Sequence, residues 1–190
     1  TTTKVGLPAI HAWKDFDPAV RIVEIAIPGG GTVLVASRAS SLDVGLTRYQ
    51  YAIQNLSSTR AIGSISIPLP TGVLPQNTTF HDVTYQDGDG PGDIDWSGTD
   101  WVPVFAGGVL TWSTETPAQN ARANAVRWGT LYNFSFDANA TDADLPAQTL
   151  TWSLQSETCS FNPSIVAGTG VLSWTCGNAV EACDASIRVA

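Results

Sequence analysis

Apolar and polar residues alternate with a period of two along much of this chain, the pattern of strands with one buried face. Ile62, Ser64 and Ser66 oppose Gly63, Ile65 and Ile67, and Pro68 and Pro70 end the run. From Tyr132 onward Tyr132, Phe134 and Phe136 alternate with Asn133, Ser135 and Asp137, which predicts a long strand over 126–137. Leu150, Trp152 and Leu154 against Thr149, Thr151 and Ser153 predict another over 148–154. Runs at 20–27 and 32–37 flank Pro28-Gly-Gly-Gly31, and runs at 101–105 and 109–113 flank Ala106-Gly-Gly108; each pair reads as a hairpin. Further strands are expected at 46–53, 79–85, 159–161, 171–175 and 184–189. Residues 1–19 hold no single period and read as an irregular arm. The one helical turn expected lies at 118–125. Roughly a dozen short strands without an amphipathic helix predict an all-β fold, an immunoglobulin-like β-sandwich of antiparallel strands.

The chain has 190 residues, enough for one large β domain or two small ones. It divides into an arm at 1–19, a sandwich at 20–138 and a partial unit at 139–190. The last segment supplies about four strands where an immunoglobulin-like sandwich needs about seven. It is therefore expected to share strand 126–137 or to accept a strand from elsewhere, with the arm as the obvious donor. Strand addition between copies would build a fibre, because a head-to-tail contact need not close.

Charged residues are 14% of the chain and the net charge is −8, which excludes nucleic acid and anionic membrane surfaces as partners. No apolar run is long enough for a transmembrane helix. Between Arg60 and Arg122 there is no Lys or Arg, while acidic residues accumulate, a field suited to a cation. The sequence begins at Thr1 and contains no Met, so a cleaved export signal and an extracellular or bacterial cell-surface location are expected. Low Lys with abundant Thr, Ser, Asn and Gly agrees with export. Cys159, Cys176 and Cys183 are an odd set without metal spacing. A short-loop disulfide Cys176–Cys183 is expected, with Cys159–Cys176 as the alternative. Sequons at Asn55, Asn77, Asn133 and Asn139 read as chance in an Asn- and Thr-rich chain.

Residues 48–59, RYQYAIQNLSST, with Phe80-His-Asp-Val83, Gly98-Thr-Asp-Trp101 and NAVRWGTLYNFSFDA at 124–138, resemble a module of secreted proteins from planctomycete-type and related bacteria. The resemblance covers about residues 20–138 and brings no activity with it. From Ala140, ATDADLPAQTLTWSL, Cys159-Ser-Phe-Asn-Pro163, Gly170-Val-Leu-Ser-Trp174 and Ile187-Arg-Val189 resemble bacterial cadherin-like or immunoglobulin-like repeats. Cys176 stands where such repeats carry Pro, and their opening strand is missing. The resemblance implies an adhesion or spacer role.

One stretch carries a mechanism for a ligand. Asp93-x-Asp95-x-Ser97-Gly98 reproduces the first half of a calcium loop, with oxygen ligands at alternate positions and Gly for the turn. The twelfth position is Val104, so Asp87, Asp89 or Asp100 would have to complete a Ca²⁺ site; the bland reading is a solvated Asp/Gly turn. Trp96 and Trp101 flank this loop and could stack on a sugar, as could Trp13, whereas Trp112, Trp128, Trp152 and Trp174 read as core. His81-Asp82 and His11 read as structural, and no nucleophile motif is present, so no catalytic residues are assigned and no enzyme is expected. The resulting expectation is an extracellular structural or adhesion protein, a surface-appendage or fibre subunit whose partners are copies of itself or other surface proteins. The alternative is a carbohydrate-binding module of a larger secreted enzyme, with glycans as ligands.

Overall fold

The computed structural model describes residues 4–43, 45–88 and 90–139 and the backbone of four later strands at 152–155, 164–166, 171–173 and 186–189. One helix, α1 (His11–Phe16), precedes β1 (Arg21–Ile27), β2 (Gly31–Asp43), β3 (Leu46–Asn55), β4 (Ser64–Pro68) and β5 (Pro75–His81). After these come β6 (Val102–Ala106), β7 (Val109–Ser113) and β8 (Leu131–Asn139). The later strands are β9 (Trp152–Gln155), β10 (Ser164–Val166), β11 (Val171–Ser173) and β12 (Ser186–Val189). Two five-stranded sheets, β1-β2-β3-β8-β5 and β6-β7-β4-β12-β9, make an all-β sandwich, and β10 and β11 form a separate hairpin. No helix among the described residues is long and apolar enough to cross a membrane.

The period-two pattern explains which face of the first sheet is buried. Ile25, Val33, Val35, Tyr51, Ile53, Tyr132, Phe134 and Phe136 occupy alternate positions on four neighbouring strands. All are buried in one cluster with Ile65, Ile67, Leu110 and Trp112 of the second sheet. Between β1 and β2, Gly31 adopts φ +92°, and a Cβ there would overlap the Ser57 carbonyl, so the hairpin needs glycine at that point.

The opposite face of the first sheet is covered by the N-terminal arm. Ile10 and Val20 pack with Leu34, Ala36 and Ala52, and Trp13 adds to their edge. The Ile10 N–H donates to Gln54 Oε1 at 3.1 Å, and Arg38 Nε donates to Asp17 Oδ2 at 2.6 Å. The expected irregular arm is thus a helix and turn seated on its own sheet, and it donates no strand here. Its apolar residues hold no strand period because Ile10, Trp13 and Val20 reach the sheet from a short helix and the turn after it. The helical turn expected at 118–125 is instead a turn around Thr116, whose carbonyl accepts the N–H groups of Gln119 and Asn120.

The junction strand also departs from expectation. Strand β8 starts at Leu131, five residues after Val126, because Arg127–Thr130 form a tight turn with Gly129 at φ +80°. It is not shared with the C-terminal segment, because β3 and β5 occupy both of its edges. Two of the later strands, β12 and β9, join the other sheet. There β12 runs parallel to β4 in the register Ser64↔Ser186, Ile65↔Ile187 and Ser66↔Arg188, and β9 pairs antiparallel with β12. Without these two, the second sheet has three strands facing five. At about 4.8 Å between strands, that leaves roughly 10 Å of the first sheet's inner face to be covered.

Asp137 points to the outer face yet is only 1% exposed. It sits directly across from Arg48, which donates from Nε at 2.7 Å and from a terminal nitrogen at 3.0 Å. Asn77 Nδ2 adds a third bond at 2.9 Å from a left-handed backbone position (φ 48°) at an irregularity in β5, where Asn is tolerated better than most residues. The Arg48 hydrogen bonds hold the Asp137 carboxyl below its ordinary value, Asn77 assisting against desolvation. A lowered folded-state value stabilises above the unfolded value near 3.8 and is lost as pH falls through the folded one. Arg48→Met is therefore expected to lower Tm by several degrees at pH 7. The gap from the parent should narrow once melting is followed below pH 3.8. A gap that stays constant from pH 7 to pH 2 would exclude Asp137 as its origin.

Candidate functional site

The loops that join the sheets meet at Asn124, a buried residue whose side chain is fully used. Its Nδ2 donates to Asp82 Oδ2 and to the Thr99 carbonyl (2.9 Å), and its Oδ1 accepts from the Tyr132 hydroxyl. The Asn124 carbonyl accepts from Trp101 Nε1. Tyr85 and Tyr132 hydroxyls lie 2.8 Å apart and share a hydrogen bond, and the Ala125 carbonyl lies 3.0 Å from the Tyr132 hydroxyl. Burial pushes the Tyr132 phenol far above its ordinary value, with the Tyr85 contact adding to it, so Tyr132 stays neutral. This hub ties the end of β5, the 99–101 segment and the start of β8 into one body.

The tryptophans divide unexpectedly. Trp101, nominated for sugar stacking, is buried against Phe80, Tyr132 and Phe134 at ring separations of 5.5 to 5.8 Å, and offers no face to a ligand. Trp96 is half-buried, with the Arg127 guanidinium 3.4 Å from its ring centre. On its edge lies Gly90, where a Cβ would come within 2.9 Å of the indole Cε2. Trp96 therefore serves the packing of its loop. Trp112 is core as expected, but Trp128, also expected inside, is 74% exposed. The mismatch follows from the turn: Trp128 is its second residue, outside the alternation that begins at β8.

That turn is held from several sides. Thr130 N–H donates to the Arg127 carbonyl at 3.0 Å, and Thr130 Oγ1 donates to the same oxygen at 2.8 Å. Gly129 N–H donates to the Asn55 carbonyl and Asn55 N–H to that of Thr130. Positive φ at the third position is what a type II turn requires. Arg127 is clamped in turn, its terminal nitrogen donating to the Ala123 carbonyl at 2.8 Å, and burial lowers its pKa. Asn55 itself is fully buried, with its amide donating to the Arg60 and Val126 carbonyls, so this sequon cannot carry a glycan in the fold.

The acidic loop is shaped by its own hydrogen bonds. Asp95 Oδ1 accepts from Gly88 N–H at 2.7 Å, Ser97 Oγ donates to Thr99 Oγ1 at 3.0 Å, and Gly90 and Ile94 bridge. Ser97 N–H donates to the Arg122 carbonyl, joining the loop to the segment that leads to the Trp128 turn. Asp93 and Asp100 are exposed, as is Asp87. Among the described residues no three of His, Cys, Asp or Glu converge on a metal position. Asp89, Cys159, Cys176 and Cys183, and with them both expected disulfides, lie outside the described residues. His81 is exposed on β5, and its neighbour Asp82 is bound to Asn124. The chain matches no known family model, no curated protein and no solved structure.

Asn124→Asp keeps the shape of the hub residue, removes both of its donors and places a second carboxylate against Asp82. It is expected to cost about 2–4 kcal/mol, from the lost bonds to buried partners and the charge repulsion. Urea titration of Asn124→Asp, with and without Asp82→Asn, checks it: the second change should return part of the stability. An unchanged midpoint for Asn124→Asp would show that the hub contributes little.

Proposed function

We propose that this chain is an extracellular structural or adhesion subunit whose copies join by strand addition to the sandwich. The observation that supports the reading is the parallel placement of β12 on β4. The sandwich of the first 139 residues builds only three strands of its second sheet, and the vacancy beside β4 is filled from residues far along the chain. A slot filled by a distant segment accepts the same segment from a neighbour with the same register and the same backbone hydrogen bonds, so exchange costs little beyond association. Strand addition supplies main-chain hydrogen bonds, which suits a module with few charges to form ionic contacts. The resemblance of residues 20–138 and 140–190 to modules of exported bacterial proteins favours the same reading. The arm at 1–19 has no part as donor, because it is engaged on its own sheet.

Cross-linking at the β4–β12 pair tests the proposal. Ser66→Cys in one tagged copy and Arg188→Cys in a differently tagged copy, both with the three native cysteines changed to Ser, are refolded together and oxidised. A disulfide between the two tags is expected on a non-reducing gel. If the doubly substituted single chain closes its own disulfide and the mixed copies form none, strand addition between copies is excluded at this slot.

A further inference from the structure

We propose that Pro103 closes the β6 edge of the second sheet to strand addition, so that an incoming strand enters this sandwich beside β4 and not along that flank. What the closure achieves rests on strand addition as the mode of assembly. The closure itself rests on the geometry of β6, and its test is separate.

The β6–β7 hairpin fixes which way each backbone group of β6 points. Its turn residues Gly107 and Gly108 have φ +57° and +78°, the two positive values of a type I′ turn, and Ala106↔Val109 is the pair that closes it. The closing pair of such a turn exchanges hydrogen bonds, and bonded pairs then recur at every second position. The register places them at Val104↔Thr111 and Val102↔Ser113. Pro103 and Phe105 stand between, with their backbone groups turned away from β7 and toward the outer edge. Because β6 is the outermost strand of its sheet, a strand added there would have to bond to these two residues. Proline has no N–H, and its ring stands where the donor hydrogen would be. Phe105 alone is left to donate, and one donor does not make a ladder.

The rest of the strand would otherwise invite a partner. Val102 is 66% exposed and Val104 55%, on the face away from Leu110 and Trp112, and Phe105 is exposed as well. No charged residue occurs from Val102 to Ser113. An apolar, uncharged edge strand pairs indiscriminately unless something in its backbone prevents it. The first sheet treats the same flank in a similar way. Strand β5 lies over β6, because its Phe80 stacks on Trp101, which immediately precedes β6. It is outermost in its own sheet, begins at Pro75 and is irregular between Gln76 and Thr79, where Asn77 has positive φ. Such a break turns an edge away from a straight partner. Both strands that end the sheets on this flank are thus unsuited to pairing, by different means. A proline that is merely tolerated at an edge can be replaced without consequence; one that closes the edge cannot.

Pro103→Val and Pro103→Thr each restore the missing N–H with a residue suited to a strand, and they make the test. The parent chain and both variants are compared by sedimentation velocity over a concentration series and by amide hydrogen exchange. At the lowest concentration both variants should melt cooperatively within a few degrees of the parent. As concentration rises, their mean mass should reach roughly double the parent's or more, and exchange at the Phe105 amide should slow by about tenfold. Adding Phe105→Pro to Pro103→Val moves the missing donor to the other outward position and should return the parent's mass. Variants that sediment as the parent at every concentration overturn the proposal, as do larger species in which Phe105 exchanges as fast as before. Loss of the cooperative melt in both variants assigns Pro103 to the hairpin itself and overturns it too. The cross-link between β4 and β12 reads a different strand, so either proposal fails without the other.

Discussion

The two sheets are held together by a layer of aromatic rings set along β8. Tyr132, Phe134 and Phe136 project inward at successive alternate positions and meet Trp101 and Trp112 from the other side. The rings cross at tilted and edge-on angles, from 44° to 68°, the arrangements that ring quadrupoles favour over a flat sandwich. Phe80 closes the layer at the β5 edge, stacked on Trp101. In a chain with so few charges this layer has to supply what ion pairs do not. Rings of this kind bury roughly 150–250 Å² each. The hub around Asn124 then lies at one end of that layer, satisfying the polar groups of the loops that the rings draw inward.

The layer is complete only over half the width of the sandwich. Past β8 the first sheet continues with Ile25, Val33 and Val35 on β1 and β2, and beyond β4 the second sheet is made of β12 and β9. The same inward apolar row that stabilises the sheet thus creates a demand for covering strands. That demand is met beside β4, whose second edge is taken up by β12 from the far end of the chain. The outer face has no such demand. The arm covers it with Ile10 and Val20 and locks itself there through Gln54 and Arg38.

The acidic loop and the Trp128 turn are consequences of the same hub. Loop residues 88 and 90–97 close on one another and on Arg122, and Trp96 and Arg127 stack where the loop meets the turn. Using Trp96 and Trp101 as packing elements fixes the loop, and it leaves Trp128 as the tryptophan of this region presented to solvent. Rigidity at that position is therefore borrowed from the core, not built into the turn alone.

Much of the fold was legible from alternation. The all-β class, the β1–β2 and β6–β7 hairpins and the buried row of β8 all follow from period two and from Gly and Pro at the breaks, because side-chain direction in a strand depends only on local backbone geometry. What alternation could not report is what approaches from elsewhere. Asp137 sits at a polar position in its strand, and only the neighbouring strands, through Arg48 and Asn77, bury its carboxylate in a part-buried ion pair. Ile10 and Trp13 gave no period because they contact a sheet formed by residues far along the chain. Trp101 and Trp128 show the division most plainly. Both stand just outside a strand, among Gly, Asp and Thr or beside Gly and Thr, so their local sequences are nearly equivalent. Which ring lies inside was decided by where the Asn124 hub and the Gly129 turn carry the backbone, and burial belongs to that three-dimensional arrangement because it depends on surfaces contributed by residues distant in sequence.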